Sequence, residues 1–282
     1  MSGETVITRF APSPTGRLHL GHAASAIRAH DFARERGGRF VLRIEDIDGT
    51  RSRPEFVAGI LEDVAWLGLR WDLLVFQSER LAKYQAALEA LKARGLVYPC
   101  FCTRAEIAAS ASAPQGDAAP VYPGICRDLT VEEMTARAHL AHCWRLDMAK
   151  AVAMTGMLAW HDAIAGTVVA DPLAQGDVVL ARKDAPASYH LAVTLDDAAQ
   201  GVTDVVRGVD LFAATDVHRV LQALLGLPVP SYHHHPLVVD AAGRRLAKRD
   251  GALSLAEMRA AGEDGARLAA RLRGGDRLAT SR

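Results

Sequence analysis

The stretch Thr5-Val-Ile-Thr-Arg9-Phe-Ala-Pro12-Ser13-Pro14-Thr-Gly16-Arg-Leu-His19-Leu-Gly21-His22 decides the fold. Thr5 to Phe10 is β-rich, and Ala11 to Leu20 is punctuated by Pro12, Pro14 and Gly16. Ala23 to Arg36 is helical until Gly37 and Gly38 stop it, and Arg39 to Ile44 reads as a second strand. Strand, loop, helix, strand is a βαβ unit and predicts an α/β fold with a parallel sheet. Where the first strand gives way to the helix, unpaired N–H groups and the positive end of the helix dipole suit phosphate. His19 and His22 can add hydrogen bonds to phosphate oxygens, and Gly21 lets a flat base approach the backbone.

Outward from this unit, Phe56, Val57, Ile60, Leu61, Val64 and Leu67 keep a helical period behind Pro54, which suits a first turn. Ser78 reads as the N-cap of a second helix that shows Leu81, Tyr84, Leu88 and Leu91 on one face and ends at Gly95. Residues 105–123 turn to Ala, Ser, Pro, Gly and Asp and read as a mobile surface insertion. Asp177 to Arg182, Tyr189 to Leu195 and Val202 to Arg207 read as strands, Thr215 to Leu225 as an amphipathic helix, and Pro236 to Val239 as a last strand. The predicted organisation is a core of residues 1–99 and 174–251, an insert domain of residues 100–173, and a short, partly disordered tail of residues 252–282.

Composition narrows the function. The chain of 282 residues is half hydrophobic and can bury a substantial core. Lys and Arg number 33, as do Asp and Glu, so contact with a long polyanion must be local. Local basic patches are Arg244, Arg245, Lys248 and Arg249, and a C-terminal group with Arg267, Arg271, Arg273, Arg277 and Arg282 that reads as a solvated face. No apolar run approaches the roughly 20 residues of a membrane helix, and a cytoplasmic location is expected. Four cysteines are too few for a disulfide scaffold, and the clustering of Cys100, Cys102 and Cys126 points to a metal.

Two further groups carry chemistry. Arg43-Ile-Glu45-Asp46-Ile-Asp48 sits at the carboxyl end of the second strand, where open α/β sheets place ligands, and a carboxylate there can hold an ammonium group. Asp46 and Asp48 are adequately explained as a charged loop bonded to its own backbone. Cys100-x-Cys102 and Tyr122-x-x-x-Cys126 supply three thiolates and a phenol, enough for a tetrahedral zinc site, with reduced buried cysteines as the alternative. His233, His234 and His235 alternate between faces if they lie in a strand, so they do not converge on an ion.

Pro12-Ser-Pro-Thr-Gly16 followed by His19-Leu-Gly-His22 resembles the HIGH signature of class I aminoacyl-tRNA synthetases, in its glutamyl and glutaminyl form. Asp204-Val-Val-Arg207-Gly-Val-Asp210-Leu and Tyr232-His-His-His-Pro-Leu are similar to the same branch, and Arg245-Leu-Ala-Lys248-Arg249 stands where that family carries its KMSKS loop. The resemblance runs from Ile7 to Gly251. It implies a Rossmann-type parallel-sheet catalytic domain with a small zinc-containing insert, acting on ATP with magnesium. By the same resemblance, Arg9, Ser13 and Glu45 hold the amino acid's α-amino end, Tyr189 and Arg207 select L-glutamate, and Pro12, Gly16, His19, Gly21, His22, Arg245 and Lys248 hold ATP. His19, His22 and Lys248 are the implied catalytic residues, Lys248 by balancing charge on the α-phosphate and departing pyrophosphate. Arg245, Ala247 and Arg249 depart from the KMSKS pattern, which puts rate and loop closure in question. The implied zinc ligands are Cys100, Cys102, Tyr122 and Cys126, in a closed structural site with Cys143 left aside as a core thiol. No general base is expected, because the substrate carboxylate is already a nucleophile that needs only alignment and charge neutralisation.

Beyond Lys248 only 34 residues follow, too few for an anticodon-binding domain. A core alone with this metal pattern is similar to the small glutamyl-queuosine branch, which joins activated glutamate to queuosine in the anticodon of tRNA(Asp). The implied partners are L-glutamate, ATP and tRNA(Asp), with the protein a monomer. Three alternatives remain at this point: a truncated synthetase that charges a tRNA 3′ end, a non-catalytic glutamate or nucleotide sensor, favoured by the degenerate loop, and a bare α/β metal-binding module, which leaves the ordered nucleotide motifs unused.

Overall fold

The computed structural model describes residues 5–103, 105–107, 121–238 and 253–274. Strands β1 (Ile7–Phe10), β2 (Arg39–Ile44) and β3 (Leu73–Phe76) form a parallel sheet in the order β1-β2-β3. Helix α1 (Leu20–Glu35) crosses from β1 to β2 and α2 (Pro54–Trp66) from β2 to β3, as the βαβ reading requires. Ala23, Ala26, Ala29 and Ala33 are the buried face of α1, and their small side chains let the helix close on the sheet. Gly37, at φ +64, supplies the left-handed turn that ends it.

A second sheet holds β6 (Ala159–Asp162), β7 (Gly166–Val169), β9 (Asp204–Gly208) and β10 (Ser231–His235) in the order β7-β6-β10-β9. Strand β10 is parallel to both neighbours, and β6 with β7 is an antiparallel hairpin. Ile7 O accepts from Thr203 N at 3.0 Å and Ile7 N donates to Thr203 Oγ1 at 2.9 Å, which sets β9 beside β1. The carboxyl ends of β1, β2, β9 and β10 therefore open on one edge, where α/β folds of this kind bind ligands. Helices α6 (Tyr189–Ala199) and α7 (Ala214–Leu225) pack on each other and share a core cluster with α3 (Leu81–Ala93). A third, antiparallel sheet, β4 (Val97–Cys100), β5 (Cys143–Leu146) and β8 (Val179–Ala181), carries the cysteines, with α4 (Val131–Ala136) and α5 (Met148–Thr155) nearby in sequence.

Several sequence expectations change. Residues 189–195 are not a strand but the start of α6. Leu191, Ala192, Val193, Thr194 and Asp196 are all buried, so the segment is buried nearly all round and lacks the one-sided apolar stripe that marks a helix. Among the described residues the last strand is Ser231–His235, and residues 236–238 carry none, because Pro236 has no N–H for the ladder. Ser78 does not cap α3. It lies in a 3₁₀ turn, Gln77–Arg80, and both its N–H and its hydroxyl donate to Asp46, so Asp46 ties down a distant turn instead of its own loop. Asp48 does bond locally, to Thr50 and Arg51, with Arg182 added at 3.3 Å.

The strands of residues 100–173 divide between two sheets. β6 and β7 join the second sheet, while β4 and β8 extend the cysteine-bearing sheet to Val97 and Ala181. Residues 253–274, expected as tail, form α8 (Leu255–Ala260) and α9 (Gly265–Arg273), because Leu255, Met258, Leu268 and Ala269 complete the core around α1 and α2. Arg273 pairs with Asp31 and Arg259 with Asp63. Most of the Ala/Ser/Pro-rich insertion and residues 239–252 lie outside the described residues.

At Gly265 an added Cβ would overlap the Trp66 carbonyl and indole, which come from the end of α2 and cannot rotate away. Gly265→Ala is expected to destabilise the protein by about 1–3 kcal/mol through overpacking at this docking point. Urea unfolding checks it, and an unchanged midpoint would show that α9 does not dock as described.

Candidate active site and metal centre

At the common carboxyl edge lies a cleft of about 440 Å³. Arg9, Pro12, Ser13, Gly16, His19, Gly21, His22, Glu45, Tyr189 and Arg207 all line it. Ten positions spread over 199 residues of sequence thus converge in space. Arg245 and Lys248 fall outside the described residues. Val238 lines the cleft, and Ser254 forms a β-bridge with His19.

The start of α1 is built by its histidines. His19 is the N-cap, its Nδ1 accepting from Gly21 N at 3.1 Å, and His22 Nδ1 accepts from His19 N at 3.2 Å. This is a capping box made of imidazoles, with ring centroids 3.8 Å apart. Both Nδ1 atoms accept, so each neutral ring carries its proton on Nε2 and can donate from there. A Cβ at Gly21 would sit 3.0 Å from His19 Cε1, so the glycine makes room for the capping ring itself.

Beneath the cleft is a buried charge cluster that the sequence reading did not foresee. Arg43 has no exposed surface, and its NH1 bonds Asp197 Oδ1 at 2.8 Å and Gln200 Oε1 at 3.0 Å. Arg9 Nε shares the same Asp197 oxygen at 3.0 Å. Asp196 accepts from Arg80, Gln77 and Tyr84. Glu45 lies 3.6 Å from Arg43 Nε, yet its Oε1 is buried without a hydrogen bond. Burial pushes the Glu45 carboxyl up to about 7, against the pull of Arg43 and Arg9. A buried acceptor with no donor is costly, and an incoming cation or N–H would relieve it.

Arg207, 4% exposed, is held differently. Its donors go to His234 Nε2 at 3.1 Å, Tyr189 OH at 3.3 Å, His218 Nδ1 at 3.4 Å, Leu211 O at 3.1 Å and Thr215 Oγ1 at 2.6 Å. Every one of these acceptors is neutral. Burial, and next the Arg207 charge, push His218 well below its ordinary value, so it adds no competing cation.

The cysteines form a separate centre on the third sheet. The Cys100, Cys102 and Cys126 sulfurs lie within 4.8 Å of one another, and Cys102 Sγ is 3.5 Å from Cys126 Sγ. Tyr122 OH is 3.6 Å from Cys102 Sγ and accepts from Cys126 N at 2.8 Å. Sulfurs bound to one zinc at about 2.3 Å stand about 3.8 Å apart, so this donor set suits a tetrahedral ion with little movement. Cys143 is the cross-strand partner of Cys100 and packs against the cluster. Arg145 lies over the Tyr122 ring at 3.8 Å and donates to Asp177 O, and Asp177 also accepts from Tyr98 and Arg127.

With this geometry in place, comparison with known proteins identifies the class. Residues 5–277 match the family model of the class I tRNA synthetases (E and Q), catalytic domain, and the chain belongs to that family. It is thereby an enzyme of the ligase type. Among curated relatives, the glutamyl-Q tRNA(Asp) synthetase of Rhodobacter capsulatus is 54% identical over 91% of this chain and 96% of its own length. The protein of the same name from Symbiobacterium thermophilum is 47% identical over 90% of this chain and 81% of its own length. Among solved structures, a glutamate tRNA ligase from Elizabethkingia meningosepticum, in complex with its amino acid, superposes with a TM-score of 0.74 at 30% identity. That match covers 88% of this chain and 53% of the ligase, so the chain spans about half the ligase's length. Among the described residues no helix is long and apolar enough to cross a membrane.

Purified protein is expected to carry about one zinc per chain, and Cys100→Ser or Cys126→Ser to lose most of it while Cys143→Ser retains it. Elemental analysis checks this. Equal loss in all three variants would make Cys143 a ligand.

Proposed function

We propose that this protein activates L-glutamate with ATP and transfers it to queuosine in the anticodon of tRNA(Asp). The observation that carries the glutamate reading is the contrast at the cleft. Arg207 is a buried guanidinium bonded to neutral acceptors, and Glu45 is a buried carboxylate with an unsatisfied oxygen. The first suits a side-chain carboxylate, the charge that sets glutamate apart from amino acids with uncharged side chains, and the second suits the α-ammonium group that every α-amino acid carries. Tyr189, Arg9 and Ser13 complete the amino-acid site in this reading.

ATP lies over the start of α1, its phosphates facing the helix N-terminus and the Nε2–H groups of His19 and His22. Magnesium bound with ATP supplies charge neutralisation at the phosphates. Lys248 and Arg245, on the segment bracketed by Val238 and Ser254, contribute their charges to the same end. The glutamate α-carboxylate attacks the α-phosphate and pyrophosphate leaves; a hydroxyl of the acceptor then attacks the carbonyl carbon of the mixed anhydride, and the ester forms as the acyl–phosphate bond breaks and AMP leaves with the hydroxyl proton. The protein aligns the reactants and stabilises charge, with no base required. Cys100, Cys102, Tyr122 and Cys126 would hold a structural zinc.

The acceptor is inferred from relatives named glutamyl-Q tRNA(Asp) synthetase that match most of the chain. A glutamate–tRNA ligase of Thermosynechococcus vestitus, 41% identical over 92% of this chain, supports charging of a tRNA 3′ end as the second reading. Labelled glutamate, ATP and queuosine-containing tRNA(Asp) separate the two. Label is expected in the anticodon fragment after removal of the 3′-terminal nucleotide, and only with modified tRNA. Label lost with the terminal adenosine would establish the second reading.

Glu45 also sets a pH dependence. The ammonium of glutamate needs the ionised carboxylate, whereas in the free protein Glu45 keeps its proton up to about pH 7. Between the ordinary value of 4.5 and about 7 the folded state holds a proton that the unfolded chain has lost. The free protein therefore loses stability as pH rises through this window, and glutamate binds more tightly over the same rise. The KM for glutamate is expected to climb by up to about tenfold per unit as pH drops below 7. Glu45→Gln should raise that KM and flatten the profile. Pyrophosphate-exchange kinetics check it, and an unchanged slope in the variant would remove Glu45 from the ammonium site.

A further inference from the structure

The three consecutive histidines of β10 go to three different places. His233 Nε2 lies 2.7 Å from Asp204 Oδ1, and His235 Nδ1 lies 2.7 Å from Arg28 NH1. His234, its side chain 2% exposed, stands between Arg207 and Asp162, whose own side chain is 1% exposed. The Arg207 Nε–H can only donate, so His234 Nε2, 3.1 Å away, must accept. The single ring proton then sits on Nδ1, 2.8 Å from Asp162 Oδ2.

Asp162 is itself fixed by the backbone. Its Oδ1 accepts from Ile164 N and Ala165 N, each at 2.9 Å, and its Oδ2 also accepts from His234 N at 3.1 Å. Despite the cost of burial, these bonds hold the carboxyl down to about 2, so it stays ionised. Burial, and next the neighbouring Arg207 charge, push the imidazole down to about 4, so it stays neutral.

Elsewhere in this interior the arrangement is the opposite. Arg9, Arg43 and Arg80 each bond an aspartate directly. At Arg207 an imidazole is interposed, and the carboxylate acts only through it.

We propose that Asp162 and His234 form a positioning pair for the arginine that reads the substrate carboxylate. Asp162 fixes the tautomer and tilt of His234, and His234 presents a neutral acceptor that orients Arg207 without neutralising it. A carboxylate in direct contact with Arg207 would fix it equally well but would compete with the ligand. The inference rests on the assignment of Arg207 to the glutamate side chain.

The pair is tested by pyrophosphate exchange with glutamate and ATP varied separately, in His234→Ala, Asp162→Asn and Arg207→Lys. Asp162→Asn turns an N–H toward Nδ1, favours the Nε2–H tautomer and so sets donor against donor at Arg207. Both pair variants are expected to raise the glutamate KM on the order of 10–100-fold, with the ATP KM within about twofold of the parent. Nitrogen NMR of histidine-labelled parent protein is expected to show His234 with its proton on Nδ1, unchanged from about pH 6 to 8. The pair is overturned by an Nε2–H signal in the parent protein, by a parallel rise in the ATP KM, or by an unchanged glutamate KM in both variants while Arg207→Lys is impaired. An unchanged glutamate KM in Arg207→Lys would instead overturn the assignment of Arg207, and the pair's role with it.

Discussion

Arg43 puts a full positive charge inside β2 with no exposed surface, and the rest of the site is arranged around satisfying it. Asp197 is the direct answer, and because the same oxygen also takes Arg9, one carboxylate ties α6 to both β1 and β2. The next residue, Asp196, ties α6 to α3 and the 3₁₀ turn through Arg80, Gln77 and Tyr84. Removing one member of such a group leaves an uncompensated buried charge, typically at a cost of about 3–5 kcal/mol. The cluster thereby fixes how α6 lies against the sheet, and with it the positions of Tyr189 and Val193 on the cleft wall.

The interior uses two electrostatic solutions within one layer of structure. Arg9, Arg43 and Arg80 are neutralised by aspartates; Arg43 and Arg80 serve the frame, while Arg9 also lines the cleft. Arg207 is restrained by a hydroxyl, a phenol, a carbonyl and two neutral imidazoles. Glu45 is the counterpart of Arg207, close to Arg43 yet with an oxygen that no donor reaches. A frame that balances its own charges and leaves these two for a ligand accounts for a cleft in a protein of zero formal net charge. The proposed selection of glutamate follows from that division, and the proposed use of ATP from the imidazole-capped start of α1.

Much of this was legible in the sequence, for physical reasons that can be named. The βαβ unit announces itself because Pro12, Pro14, Gly16 and the Gly37-Gly38 pair punctuate it, and the pairing of β1 with β2 is the one those breaks require. The ten residues that line the cleft were named from ordered motifs together with the family resemblance, and Cys100, Cys102 and Cys126, whose sulfurs cluster, from a spacing that is a local signal. The supporting shell was hidden. Reading residues 189–195 as a strand concealed that Tyr189, Val193 and Asp197 recur at helical spacing on one face, two lining the cleft and the third holding Arg9 and Arg43. Asp162 and His234 were beyond reach because 72 residues separate them and only the parallel pairing of β6 with β10 brings them together. The same pairing places β6 and β7 in the second sheet.

The most direct measurement is calorimetric titration of the protein with glutamate and with glutamine, ligands of nearly the same shape that differ in one charge. If Arg207 is held ready for a carboxylate, glutamate binds on the order of 10²-fold or more tightly than glutamine. Equal affinities would mean that the Arg207 charge is not what the ligand meets, and would contradict the assignment on which the proposed substrate rests.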